Sequence, residues 1–344
     1  MLNVSVVVPI RNASRTLPAC LAALERLEPP PMEIILVDNG STDESLSLMR
    51  RFAHAHHSKR VKILEEQRRG AAAARNAGAR AADGDVVAFT DSDCVPDPTW
   101  LRHLLGPLAD PKVCAVAGRV VSAPPGSTVE LFSSLYTLQS SEKPTRYRRW
   151  TPREGGFPTA NLGVRRESLQ ALGGFDEEVE IYGEDYDLCA RLYKGGAEIE
   201  YAPDAKVFHH HRVTIPSMLR QAFGFGRSHP YLLSRHVLTG VWLDLPGYVF
   251  SWDRFPFRAW VDLAAADKKV MAILIVGTLY QPALLLLLVY VTWLAVLAGR
   301  RAKSAGKLVS PWRAMELGVL LLAKSFAMTV GRWWGSVKYG AICL

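Results

Sequence analysis

The sequence predicts an α/β domain built on a mixed, largely parallel sheet, followed by C-terminal helices that lie at and cross a membrane. Three observations lead there. Short β-branched runs alternate with helical stretches near the start of the chain, the pattern of βαβ units. Three of those runs end in polar clusters, Pro9-Ile10-Arg11-Asn12, Asp38-Asn39-Gly40-Ser41 and Asp91-Ser92-Asp93, where an open parallel sheet binds its ligands. Far downstream, Met271–Ala298 runs for 28 residues without a formal charge, longer than the ~20 apolar residues that cross a bilayer.

Taken in order, "VSVVVPI" (4–10), "EIILVD" (33–38), "VKIL" (61–64) and "DVVAFTD" (85–91) read as strands. Residues 14–27, 43–57 and 70–82 read as the helices between and after them, with Ser14 and Asp43 as N-caps. Residues 120–158 lose this regularity. Pro124, Pro125, Gly126 and the basic "RYRRW" (146–150) suggest a long connection. A compact segment resumes at "PTANLGVRRESLQALGGFDEE" and runs through "YGEDYDLCARLYKGG" to "VFHHHR" (207–212). Residues 214–262 mix aromatics with Arg and His, as in "RQAFGFGRSHPYLL" and "SWDRFPFRAW", the composition of an interfacial segment. A second apolar candidate, Ala314–Gly331, contains Glu316 and Lys324. A charge at mid-bilayer costs roughly 2.5–3.5 kcal/mol, so Lys324 must snorkel or face protein. The resulting division is 1–212, an α/β domain; 213–268, a basic aromatic interfacial segment; and 269–344, a hydrophobic membrane region.

Charge divides the chain the same way. Residues 1–204 carry 24 Lys+Arg against 28 Asp+Glu, whereas residues 205–344 carry 17 against 5. Basic residues can serve nucleic acid. Here they flank long apolar stretches, which favours an anionic membrane surface and argues against nucleic acid. Five scattered cysteines without a CxxC pair read as reduced thiols. The opening "MLNVSVVVPIRN" lacks the basic and small-residue signatures of a signal peptide and reads as a first strand. The topology holds a conflict. Arg300, Arg301, Lys303, Lys307 and Arg313 lie between the two apolar candidates, and the positive-inside rule places them in the cytoplasm. With the first domain also inside, one simple span would put them outside. Either residues 271–298 bend back at Gln281-Pro282 as a re-entrant hairpin, or the rule is overridden; both stay open.

Asp91 and Asp93 raise the question of chemistry. In an extended chain, alternation points both carboxylates to one face. Such a pair suits Mg²⁺ or Mn²⁺ with substrate phosphates completing the shell; the alternative is a turn after the strand. Asp38 is either an acceptor for a base or a cap for the helix after it. Glu184 and Asp185 precede an apparent helix, where carboxylates also complement the dipole.

The motifs come in series. "VSVVVPIRNASRTLPACLAAL", "EIILVDNGSTDES", "RRGAAAARNAGARAADGDVVAFTDSDCVPDPTWL", "TANLGVRRESLQALGGFDE" and "YGEDYDLCARL" resemble, in order and spacing, a family 2 glycosyltransferase with the GT-A fold, a Rossmann-like α/β domain. The resemblance covers roughly residues 3–212. It implies a nucleotide-sugar donor (a UDP-, GDP- or dTDP-sugar) held by Pro9, Arg11, Asp38, Gly70, Arg75, Asn76, Asp91 and Ser92. It implies a divalent ion on Asp91 and Asp93, completed by His209 or His210, and Asp185 as general base with Glu184 orienting the acceptor. Transfer would invert the anomeric centre. The QxxRW signature of processive members is absent, which favours transfer of a single sugar. Arg220 and Arg227 stand in a comparable place as diphosphate or lipid contacts. The expected acceptor is a polyprenyl-linked saccharide or glycolipid, and the expected location the cell inner membrane with the catalytic domain cytoplasmic. Two other classes fit less well: an inactive scaffold, which would have lost Asp91, Asp93 or Asp185, and a nucleotidyltransferase, which would want an N-terminal Gly-rich triphosphate loop.

Overall fold

A computed structural model of the chain describes residues 2–344 apart from 56–59, 138–140, 152–153, 180–181, 238 and 253–254. The end of the helix expected over 43–57 thus lies outside the described residues. The chain forms two compact units, one of residues 1–123 with 139–210 and the other of 124–138 with 211–344.

The first unit opens with β1 (Val4–Ile10), α1 (Leu17–Glu25), β2 (Glu33–Asp38), α2 (Ser45–Ala55), β3 (Val61–Glu65), α3 (Ala71–Arg80) and β4 (Val86–Thr90). Strands β3-β2-β1-β4 lie side by side and parallel. Strands β1, β2 and β4 are buried almost throughout. Continuous Val/Ile/Leu runs suit this position, because helices cover both faces of a parallel sheet. The chain continues through β5 (Cys94–Pro96), α4 (Trp100–Leu105), β6 (Val113–Ser122), α5 (Thr128–Tyr136, in the second unit), β7 (Thr145–Tyr147), β8 (Asn161–Arg165), α6 (Arg166–Ala171), α7 (Glu184–Lys194) and β9 (Glu198–His209). Strand β8 runs antiparallel between β4 and β6, β6 pairs parallel with β9, and β9 carries both β5 and β7 antiparallel. Among the described residues this makes one nine-stranded mixed sheet.

At the N-terminal end of β2 the acids are fully engaged. Buried Glu33 accepts from Ser5 Oγ at 2.6 Å and Asp83 N at 2.7 Å, and pairs with Lys62 Nζ at 2.7 Å. The two expected N-caps behave differently from the sequence reading. Helix α1 starts after Thr16, while Ser14 N donates to Asp43 Oδ2 at 3.0 Å; Asp43 Oδ1 accepts from Ser45 N. The basic cluster at 146–150 is also structural. Arg146 pairs with Asp110 at 2.8 Å and Glu200 at 2.9 Å, and Arg148 with Glu198 at 2.8 Å. Opposite charges on β7 and β9 hold as strands what the sequence presented as a loose connection.

The second unit combines α5 with α8 (Ile215–His236), β10 (Gly240–Leu245), β11 (Tyr248–Trp252), β12 (Arg258–Asp262), α9 (Ala266–Leu279), α10 (Leu285–Ser304), α11 (Pro311–Tyr339) and β13 (Ile342–Cys343). The segment expected to be interfacial supplies three strands of a small sheet ordered β11-β10-β12-β13, and Ile342–Cys343 supplies the fourth. Its outer strand exposes Tyr248, Phe250 and Trp252. Helices α8 and α11 cross at glycines. A Cβ on Gly226 would lie 2.1 Å from Met328 O, and one on Gly331 would lie 2.2 Å from Phe223 O, so only Gly admits this backbone approach.

The uncharged run 271–298 is two helices, not one. Helix α9 ends at Leu279, a short 3₁₀ turn spans Gln281–Leu284, and α10 begins at Leu285. Pro282 lacks the N–H that a continuous helix would need. Asp267, at the start of α9, accepts from Ser325 Oγ on α11, and the Lys268 ammonium donates to Thr329 Oγ1 at 2.8 Å. The far end of α9 is bare, with Leu279 90% exposed. Among the described residues two helices, Gln281–Ser304 and Pro311–Tyr339, are long and apolar enough to cross a membrane. The two charges within the apolar stretch of α11, Glu316 and Lys324, face protein. Lys324 Nζ donates to Tyr136 O at 2.7 Å, and Glu316 Oε2 accepts from Thr128 Oγ1 at 3.1 Å. Arg301 joins Lys324 at the carbonyl end of α5, donating to Leu135 O at 2.8 Å, where cations complement the helix dipole.

Candidate active site

Three parallel strands end at one edge, and side chains staple their loops together. Asn12, held at φ 50°, accepts at Oδ1 from Thr42 N at 2.8 Å. Asp38 closes β2, with Oδ2 accepting from Gly40 N and Ser41 N at 3.2 Å each. Its Oδ1 is buried and meets no donor among the described residues. Asn39, which the sequence reading passed over, holds the next loop: Nδ2 donates to Glu66 O and Arg68 O at 3.0 and 2.7 Å, and Oδ1 accepts from Gly70 N at 2.9 Å. Asn beside Gly signals a turn, but bonds to a loop 27–31 residues away leave no local signal.

Arg75, on α3, joins the two acidic motifs. Its Nη2 donates to Asp91 Oδ1 at 2.8 Å and its Nη1 to Glu184 Oε1 at 2.7 Å, with the guanidinium buried. Burial works against the Arg75 cation, but Asp91 and Glu184 outweigh it and raise its pKa. Residues 91 and 184 are remote in sequence, so the bridge puts "DSD" and "GED" in one site. Gly183, at φ 105°, makes the turn into α7, a left-handed conformation that suits Gly. Asp185 sits half-buried beside it and accepts from Tyr186 N at 2.9 Å. Burial, and then the Glu184 charge, push the Asp185 carboxyl well above the ordinary carboxylate range, while Arg75 pulls it down.

Asp91 and Asp93 do not share a face by strand alternation. Strand β4 stops at Thr90, and Cys94 N donates to Asp91 O at 2.9 Å, closing a turn across the motif. Turn-forming Asp and Ser prevail over the extended chain. Asp91 goes to Arg75, and Asp93 goes to the end of β9. His209 Nε2 lies 3.5 Å from Asp93 Oδ1, and the donor atoms of Asp93, Cys94 and His209 are mutually within 4.8 Å. This group excludes Asp91. It also separates the two histidines: His210 is tied through its backbone, its N donating to Asp93 O at 2.8 Å.

The other residues expected to touch a donor are distributed. Half-buried Pro9 and exposed Arg11 border the β1 end, Gly70 precedes α3 and Ser92 lies in the 91–94 turn. Asn76 is engaged elsewhere. Its Nδ2 donates to Phe175 O at 2.9 Å and Glu177 Oε1 at 2.8 Å, and its Oδ1 accepts from Phe175 N at 2.8 Å. It braces the loop before α7 with every polar atom it has.

Residues 5–173 match the family model described as Glycosyl transferase family 2, and 238 residues are 35% identical to the pre-mycofactocin glycosyltransferase of Mycobacterium tuberculosis. The chain belongs to this family. That alignment covers 68% of the chain and 48% of the relative, so the chain spans about half the length of that curated protein. Glycosyltransferase AglE of Haloferax volcanii is 28% identical over 244 residues, covering 69% of this family 2 chain and 77% of its own. Among solved structures, the mannosyltransferase PcManGT of Pyrobaculum calidifontis, in complex with GDP-Man and Mn²⁺, superposes with a TM-score of 0.55 at 24% identity, covering 97% of this chain and 87% of that one. GalNAc-T7 with UDP, GalNAc and Mn²⁺ gives 0.51 at 20% identity, covering 68% and 50%. At such identities the likeness is one of fold, the GT-A fold expected from the motifs.

Proposed function

We propose that the chain is an inverting glycosyltransferase that moves a sugar from a nucleotide-sugar to an acceptor hydroxyl, with a divalent ion and Asp185 as general base. The observation that carries this reading is the Arg75 bridge, which gathers Asp91, Glu184 and Asp185 from two distant motifs. The two neighbours solved with UDP and with GDP-Man, each with Mn²⁺, support a nucleotide-sugar donor and a divalent ion. Asp38 Oδ1, buried and without a donor, suits an N–H on the edge of a base such as uracil, guanine or thymine. Asp93 and His209 would hold Mg²⁺ or Mn²⁺, an oxygen and imidazole set that both the burial and the spacing fit. Bound there, the ion supplies positive charge against the leaving nucleoside diphosphate.

The chain's own work is then positional. Arg75 fixes Glu184 and Asp91, and Glu184 leads into the residue that receives the acceptor proton. With its carboxyl raised by burial and by Glu184, Asp185 is a stronger base than an ordinary aspartate. Direct attack by a hydroxyl that one base activates needs no carboxylate nucleophile and inverts the anomeric centre. Calorimetric titration with UDP-, GDP- and dTDP-sugars, each with Mn²⁺ or Mg²⁺, is expected to show cation-dependent uptake of one of them. Absence of cation-linked binding for every donor would remove the reading.

On this reading the chain lies at the inner membrane with the catalytic domain in the cytoplasm and a lipid-linked saccharide or glycolipid as acceptor. The apolar helices of the second unit support the membrane setting. The bend between α9 and α10 exposes Leu279 at 90%, Leu285 at 67% and Leu288 at 70%. Leucines left this bare suit a lipid surface. Replacing Leu279 and Leu288 together by Asp is expected to move the protein from the membrane to the soluble fraction, since each buried charge costs roughly 2.5–3.5 kcal/mol. Unchanged sedimentation with membranes would place the anchor elsewhere.

A further inference from the structure

Cys94 stands in the wall of the cation site, and neither the sequence motifs nor the proposed reaction give it a role. Strands β5 and β9 pair antiparallel with Cys94 directly opposite His209, so the two side chains share a face. Cys94 Sγ lies 3.8 Å from Asp93 Oδ1, the same oxygen that lies 3.5 Å from His209 Nε2. The backbone fixes this trio from both sides, through Cys94 N to Asp91 O at 2.9 Å and His210 N to Asp93 O at 2.8 Å. Tetrahedral bonds of about 2.3 Å to sulfur and about 2.0–2.2 Å to nitrogen and oxygen place the ligand atoms about 3.3–3.7 Å apart. The two separations from Asp93, 3.8 and 3.5 Å, are close to that size, and all three ligand atoms lie within 4.8 Å of one another. Cys20, by contrast, lies at Asp91 O, 3.7 Å away, and is not in the group.

We propose that the Cys94 thiol is the third protein ligand of this site, so that it takes a thiophilic divalent ion such as Zn²⁺ or Cd²⁺ more tightly than Mg²⁺. The inference rests on the reading of Asp93 and His209 as metal ligands. One soft sulfur, one imidazole and one carboxylate form a donor set for borderline and soft cations, whereas Mg²⁺ prefers an all-oxygen shell. Three protein ligands leave a position open for a donor oxygen. On coordination the S–H bond breaks, the proton leaves to solvent and the sulfur electron pair forms the bond to the ion; no oxidation state changes.

The test uses the full chain carrying Cys114→Ser, because Cys114 is the half-exposed thiol among five free cysteines. Cd²⁺ titration is followed by thiolate-to-metal charge-transfer absorption in the ultraviolet, and Mn²⁺ binding by electron paramagnetic resonance of the free ion. The expected result is a saturable Cd²⁺ band that Cys94→Ser abolishes, with Cd²⁺ affinity falling about tenfold or more and Mn²⁺ affinity changing far less. His209→Gln, which leaves the thiol in place, should weaken the same band about 10–100-fold in Cd²⁺ concentration. Mn²⁺ binding that depends on Asp93 without any Cys94-dependent Cd²⁺ band overturns the thiol ligand and spares the site. Failure of both ions to bind overturns the metal reading itself.

Discussion

Asp185→Asn is expected to lower transfer by about 10²–10⁴-fold, the range a positioned general base supplies, while leaving nucleoside diphosphate affinity near that of the parent. The amide keeps the shape of the side chain, and Asp185 accepts one backbone N–H that an amide oxygen also satisfies. What it loses is the capacity to take a proton. The same residue sets a pH dependence. Asp185 works deprotonated, and burial together with Glu184 raises its pKa. Activity should therefore fall as pH drops through that raised value, with an acid limb well above the pH of about 4 where an ordinary aspartate titrates. Transfer rates and donor affinity measured on one preparation decide the matter. Equal loss of both, or an acid limb at the ordinary position, would argue that Asp185 holds structure or donor instead of a proton.

Much of the first unit could be read from residues alone, because its parallel strands are buried on both faces and advertise themselves as unbroken β-branched runs. The small sheet of the second unit was hidden. Its strands carry exposed aromatics beside Arg and Asp, which read as interface composition before they read as alternation. The site was legible as a set of residue types, less so as contacts. Arg75 looked like a phosphate ligand because its partners lie 16 and 109 residues away, beyond any local pattern. The choice between His209 and His210 depends on which of them faces β5, a matter of register that neighbouring histidines cannot express. Cys94 was invisible for the same reason. Asn76 misled because an Asn on a helix one residue from a functional Arg points elsewhere by about 100°, here to Phe175.

Arg75→Ala should be among the most damaging single changes in the first unit. The guanidinium is only 5% exposed and holds Asp91 and Glu184, themselves 29% and 9% exposed. Removing one partner of a buried ion pair strands the other, at a cost of about 3–5 kcal/mol. Water reaching Asp91 should keep the loss toward the lower end. Arg75→Lys is expected to rescue little, since one ammonium on a flexible stem cannot bridge two carboxylates as the planar fork does. The sign of the pH effect separates this account from a simple packing defect. Arg75 pulls the Asp185 pKa down, so its removal raises that pKa further above the unfolded value. A raised folded pKa contributes stability below the unfolded pKa and loses it as pH climbs through the folded one. The gap between variant and parent should therefore be widest at neutral and alkaline pH and should narrow on acidification. Urea denaturation midpoints across that range measure it. A gap that is flat with pH would mean that Arg75 fills space and does not hold the acids together, and the shared site would lose its keystone.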